Sequence, residues 1–226
     1  MMNIQRYITY LFLPVILIAG CAKLNDNLSN EFCENIAFNC VFEKKKVELI
    51  TSKGKIIIEL DGESAPLTTG NFLDLVNRGV YDGTTFHRVI KEPEPFVAQG
   101  GDPLSKNHKV SSSEYGTGSF VDPQNGQSRI IPLEIKLINE AIPSYNNLIS
   151  NPFDLNLLTL RHEKGSISMA RSISVDSASS QFFISLTSLP ELDGRYAVFG
   201  KVVEGMDVLS LISKGDRIIK VQLIIP

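Results

Sequence analysis

Phe86-His87-Arg88-Val89-Ile90, followed after a short Pro-containing link by Phe96-Val97-Ala98-Gln99-Gly100-Gly101-Asp102, decides how this chain folds. The first run reads as a strand with side chains projecting alternately to its two sides, so His87 points away from both Phe86 and Arg88. Alone, an arginine on a strand is a surface or salt-bridge residue far more often than a catalytic one. The meaning of Arg88 therefore depends on its surroundings.

Upstream, Val47-Glu48-Leu49-Ile50, a Ser52-Lys53-Gly54 turn and Lys55-Ile56-Ile57-Ile58-Glu59-Leu60 read as a β-hairpin. Ser64-Ala65-Pro66 offers a helix start, and Leu67, Phe72, Leu75 and Val76 share roughly one face before Gly79 stops it. Further β-like runs are 85–90, 96–99, 166–169, 181–185 and 197–203, divided by Gly, Pro, Asp and Ser. Met206, Leu209 and Ile212, with Gly215 behind them, suggest a second short helix before a terminal strand at 218–225. Between Pro103 and Lys164 runs a long stretch with a strand expected at 130–135 and an irregular remainder, uncommon unless functional or disordered. Many short strands with two helices predict a mainly β domain, a closed barrel or a sandwich.

At 226 residues with 43% hydrophobic and 21% charged content, the chain has globular composition and enough material for one domain. A formal charge of -3 provides no basic excess to neutralise phosphates, so no nucleic acid is expected as a partner. Lys44-Lys45-Lys46 reads as a solvated turn. The three histidines, His87, His108 and His162, lie in no metal-ligand spacing, and a G-x-S-x-G elbow is missing. Neither a metal nor an organic cofactor is expected.

Residues 1–20 carry one charge, Arg6, and an apolar run too short to cross a bilayer. Ile18-Ala19-Gly20-Cys21 resembles the processing box of bacterial lipoproteins. That resemblance implies a signal peptide at 1–20 and lipidation of Cys21, with an ordinary signal peptide as the alternative. Residues 21–46 then form a spacer and 47–226 the domain. A lipid-anchored envelope protein, on a periplasmic or outer face, is the expected location. Cys33 and Cys40 could form a disulfide or remain small buried hydrophobes or free thiols.

Five segments in order carry the functional reading: the two quoted above, then Ser168-Met169-Ala170-Arg171, Ser180-Gln181-Phe182-Phe183-Ile184, and Leu192-Asp193-Gly194-Arg195-Tyr196-Ala197-Val198-Phe199-Gly200-Lys201-Val202. Together they resemble the signature strands of the cyclophilin family of peptidyl-prolyl cis-trans isomerases, from about Val47 to the C-terminus but poorly across 103–164. The resemblance implies a closed eight-stranded antiparallel barrel capped by two α-helices, with a long insertion at about 103–164. It also implies Arg88 as the catalytic guanidinium and Gln99 as its polar partner. Phe96, Val97, Phe183 and Leu192 would line a proline pocket, and His87, Ala170 and Tyr196 would complete its walls. The partners so implied are proline-containing peptides and unfolded exported proteins, met by a monomer. The alternative is a peptide-binding scaffold of the envelope with weak catalysis.

Two departures qualify the match. Glu191 precedes Leu192 where many family members carry an aromatic residue, which speaks against tight cyclosporin binding. The link Lys91-Glu92-Pro93-Glu94-Pro95 is longer than is usual in the family.

Overall fold

The structure, a computed structural model, describes Cys33, Phe38 and residues 40–225. A hairpin opens the domain, β1 (Lys44–Thr51) against β2 (Gly54–Asp61), with Lys44 opposite Asp61 and Thr51 opposite Gly54. Period-2 alternation turns Val47, Leu49, Ile56, Ile58 and Leu60 to the core, each at most 1% exposed. The basic tripeptide Lys44-Lys45-Lys46, expected to be a turn, instead begins β1, because Glu59, Leu60 and Asp61 stand opposite it on β2.

Six further strands join this hairpin: β3 (Arg88–Val89), β4 (Val97–Gly100), β7 (Ser166–Met169), β8 (Phe182–Ser185), β9 (Val198–Glu204) and β10 (Ile218–Ile224). The sheet runs β10-β1-β2-β9-β7-β8-β4-β3, with every pairing antiparallel. Between β4 and β7 lies a small separate hairpin, β5 (Glu134–Ile135) with β6 (Ser144–Tyr145).

The sheet curls into a half-barrel and does not close as expected. Its edges, β3 and β10, share an isolated bridge between Thr85 and Arg217, just outside both strands, with Gly83 and Phe86 donating backbone hydrogen bonds to Ile218 and Asp216. The reason is the brevity of β3, which spans two residues after the turn ending at Gly83. Among the described residues, backbone bonds to the β10 edge are made by residues 83–86, before β3, and none by β3 itself.

Helix α1 (Pro66–Asn77) follows the predicted start and stop, and Leu67, Phe72, Leu75 and Val76 are buried. Its opposite side is also covered. Glu134, on β5, reaches the helix N-terminus, and Arg129 pairs with Asp74. The second expected helix is α3 (Met206–Leu211), with Leu209 buried. A one-turn helix α2 (Pro152–Leu155) adds to these.

Residues 103–164 are folded onto the domain. Leu133, Ile135, Leu137 and Leu158 build a small apolar cluster with Ala197 from just before β9. Ile149 donates its N–H to Gly194 O, and a Cβ on Gly194 would lie 2.1 Å from Ile149 O. Only glycine permits that approach. The expected strand at 130–135 is reduced to Glu134–Ile135, preceded by an isolated bridge from Ile131 to Ala178.

The domain's contacts begin before Val47. Cys33 and Cys40 are joined by a disulfide, and Phe38 between them is 7% exposed with the Arg129 guanidinium 5.1 Å from its ring centre. The expected signal segment and Cys21 lie outside the described residues.

Candidate active site

Strand alternation and register assemble the site on the outer face of the curled sheet. Arg88 on β3 stands opposite Gln99 on β4, and Gln99 opposite Phe183 on β8. One position over, Ala98, Ile184 and Ile167 face the core, fully buried. The same pleat that fills the core thus sets Arg88, Gln99 and Phe183 in a row facing outward.

A depression of about 310 Å³ lies over this row, lined by Arg88, Phe96, Val97, Gln99, Ala170, Arg171, Phe183, Leu192 and Tyr196. Its floor is the apolar cluster of Val97, Phe183 and Leu189, with Phe96, Ala170, Leu192 and Tyr196 packed around. Phe96 is fixed by its backbone, donating to Ile90 O at 3.0 Å and accepting from Leu186 N at 2.8 Å. The link 91–95 is thereby held as a loop between paired ends. Phe183 and Tyr196 meet edge to face with ring centres 5.6 Å apart.

At the polar end, the exposed Arg88 Nη1 donates to Gln99 Oε1 at 3.3 Å, and its guanidinium carbon lies 5.7 Å from the Phe96 ring centre. Gln99 Nε2 donates to Gln181 Oε1 at 3.1 Å, and Gln181 Nε2 donates to Gly116 O and Gly118 O. The N–H groups of Gly116 and Gly118 donate to the carboxylate of Asp102, which is fully buried. A chain of hydrogen bonds therefore runs from a buried carboxylate to an exposed guanidinium. A Cβ on Gly118 would lie 2.2 Å from Asp102 Oδ1, so this anchoring tolerates no side chain there.

An apolar floor with the guanidiniums of Arg88 and Arg171 at its rim suits non-covalent handling of an apolar group beside a hydrogen-bond acceptor. Consistent with this, a sequence model of the family described as cyclophilin type peptidyl-prolyl cis-trans isomerase/CLD matches residues 46–223. The chain belongs to this family. It is 37% identical over 188 residues to a Synechocystis protein named as a thylakoid-lumen peptidyl-prolyl cis-trans isomerase, covering 79% of this chain and 46% of that relative, so it spans under half of its length. It is 38% identical over 170 residues to a peptidyl-prolyl cis-trans isomerase of Helicobacter pylori, covering 74% of this chain and 80% of that protein. A crystal structure of a cyclophilin-type isomerase from Cryptosporidium parvum superimposes with a TM-score of 0.59 at 27% identity, over 81% of this chain and 99% of that one. A second structure of the Cryptosporidium protein was obtained in the presence of the dipeptide Ala-Pro.

Of the residues singled out from the cyclophilin resemblance, Arg88, Gln99, Phe96, Val97, Ala170, Phe183, Leu192 and Tyr196 border one depression. His87 does not. Alternation turns it to the other side of its strand, 7% exposed, with its ring 3.2 Å from where a Cβ of Gly116 would sit. It backs the loop that Gln181 holds. Burial pushes its imidazole below the ordinary histidine value, with Asp102 opposing.

Three contributors escaped the sequence reading as site residues. His162, 1% exposed, stacks on Phe183 from behind at 5.9 Å and 12°, and its Nδ1 lies 2.8 Å from Asp193 Oδ1. Burial lowers its pKa, with Asp193 pulling the other way. Gln181 was visible only as part of a motif, its link to Gln99 and Gly118 being a matter of three-dimensional geometry. Arg171 lies with its guanidinium carbon 4.8 Å from the Tyr196 ring centre. Glu191 is exposed in the turn Pro190–Leu192, whose last residue, Leu192, lines the depression.

Proposed function

We propose that this chain accelerates cis-trans rotation about X-Pro bonds in exported or envelope proteins, with Arg88 as the catalytic residue and Gln99 as its aligning partner. The observation that carries this reading is the row Arg88, Gln99, Phe183 beneath a depression of about 310 Å³ with an apolar floor. The family membership and the Ala-Pro dipeptide used with the Cryptosporidium protein support a proline ring as the occupant.

Amide rotation faces a barrier of roughly 20 kcal/mol because resonance makes the C–N bond partly double. In the twisted state the proline nitrogen regains a lone pair, to which Arg88 donates. Charge separation in the amide falls at the same point, so an apolar surround disfavours the twisted state less than the planar one. A hydrogen bond to a charged group contributes on the order of 1.5 to 3 kcal/mol, and each ~1.4 kcal/mol is tenfold in rate. Arg88 thus supplies about one to two decades, and the pocket and peptide positioning supply the rest. Neither a metal nor an organic cofactor has a role in this scheme, and the chain acts as a monomer.

The outer location rests on the signal-like residues 1–20 and on the lumenal name of the Synechocystis relative. Lipid on Cys21 would hold the domain at a membrane, since several acyl chains together anchor firmly where one does not. Labelling cells with a fatty acid and comparing Cys21→Ser with the natural chain tests this part, equal labelling removing it. For catalysis, isomerisation of a short proline peptide by the purified protein is the test. Peptide binding without turnover would replace the enzyme by a scaffold.

A further inference from the structure

A second depression of about 200 Å³ adjoins the first and shares Gln99, Ala170 and Arg171 with it. The charged side chains lining the pair are Arg88 and Arg171, and no carboxylate lines either. Around the second, Arg171 is the one charge, among Thr117, Ser119 and Ser177 hydroxyls.

Arg171 is held and yet not neutralised. Its Nε donates to Arg195 O at 3.0 Å, and its Nη1 to Ser172 O at 3.0 Å and Ile173 O at 3.3 Å. Those carbonyls belong in part to a turn tied together by Ser177, which accepts from Ser172 N and Ser172 Oγ and donates to Ser174 O. The Tyr196 ring supports the guanidinium from one face. Carbonyls and a ring orient a cation without cancelling its charge. Among the described residues Arg171 has no ion pair, and its Nη2 hydrogens have no acceptor. A guanidinium fixed in advance, with one nitrogen free beside a groove, loses little entropy on receiving an anion.

We infer that Arg171 makes this site select peptides bearing an aspartate or glutamate within a few residues of the proline, the carboxylate docking on Nη2 at the seam between the two depressions. The inference rests on the first depression being the proline site. A plainer role, in which Arg171 only clamps the 172–177 turn, predicts something different: loss of the clamp weakens all peptides alike.

The test uses the full-length chain and one alanine-rich proline peptide, with Glu, Gln or Lys placed in turn at each of the nearest positions on both sides of the proline. Affinity is read by NMR titration, and isomerisation by exchange between the cis and trans signals. At low salt, Glu at one flanking position should be favoured over Gln by about two- to fivefold, the upper part of the range for an exposed charge pair, and Lys disfavoured. The preference should shrink as added salt shortens the screening length. In Arg171→Gln the Glu-to-Gln ratio should fall to about one, while Arg171→Lys should keep part of it. Equal affinity for the three peptides in the natural chain, or an unchanged ratio in Arg171→Gln, overturns the inference. Tight binding of the Glu peptide without turnover would sustain the role of Arg171 while sinking the isomerase reading. Turnover of the Gln peptide with no Glu preference would do the reverse.

Discussion

Gln99 couples Arg88 to the interior: Arg88 donates to its Oε1 at 3.3 Å, and its own Nε2 donates onward to Gln181 at 3.1 Å. Because Gln181 is held by two glycine carbonyls and those glycines by buried Asp102, an exposed arginine inherits a defined direction. Orientation of this kind matters for a group that acts by donating one hydrogen bond.

Arg88→Ala should therefore lower kcat/KM for a proline peptide by about ten- to a hundredfold. Because Arg88 is exposed, its unfolding free energy should move by no more than about 0.5 kcal/mol. Arg88→Lys keeps the charge without the planar fork and should fall between. Peptide turnover and urea unfolding on the same preparations check both halves. Undiminished turnover in Arg88→Ala removes it from the mechanism.

Asp102 is the inner end of this chain of bonds, accepting from Leu104 N at 2.8 Å, from Gly118 N at 3.2 Å and from Gly116 N. Asp102→Ala leaves those donors without their acceptor and should cost about 2 to 3 kcal/mol of stability. Amide hydrogen exchange at Gly116 and Gly118 should accelerate more than in the β1–β2 hairpin. Uniform acceleration across the domain would mean that Asp102 serves the fold at large and not this loop.

His162 links stability to pH. Burial holds its folded pKa below the ordinary histidine value. A histidine depressed in the folded state contributes stability that is complete above its unfolded pKa and is lost as pH falls through the interval towards the folded value. His87 acts in the same direction. Urea unfolding should accordingly show stability that falls as pH drops below the ordinary histidine value of about 6.5. His162→Gln should flatten part of that decline, and a slope identical to the natural chain would assign it to other groups.

Much of the site was legible because it obeys the pleat. Arg88, Gln99 and Phe183 each sit on a run whose alternation is visible in sequence, and β7 fell at Ser166–Met169 as expected. His87 follows from that same alternation, which the family analogy overrode. What sequence could not carry was tertiary. The stacking of His162 behind Phe183 joins residues on separate segments, and the open edge of the half-barrel depends on how few residues β3 pairs. Phe38 and Lys44 read as polar spacer because burial of a lone aromatic, or pairing of a lysine run with β2, leaves no periodic trace.

The start of α1 shows the limit most clearly and carries the last prediction. Ser64-Ala65-Pro66 marks the place correctly, yet Ala65 at the N-cap supplies no side-chain bond. The cap comes from Glu134, whose carboxylate accepts from Leu67 N at 3.0 Å and Thr68 N at 2.7 Å, and from Tyr145 Oη at 3.0 Å. Burial raises the pKa of Glu134 while those donors pull it down, and the positive end of the helix dipole favours its charged form. Glu134→Ala would orphan two backbone donors in the core and should cost about 2 to 4 kcal/mol. At this chain length that is a drop of roughly 4 to 16 °C in Tm. Glu134→Gln keeps one acceptor oxygen and should lose less. Because the folded pKa of Glu134 is raised, its contribution is full at low pH and is lost as pH rises through that value, opposite in sign to His162. Thermal unfolding, with exchange protection at Leu67 and Thr68, decides the matter. A Glu134→Ala protein with unchanged Tm and protection would mean that the helix finds its cap elsewhere, and that residues 103–164 are dispensable to it.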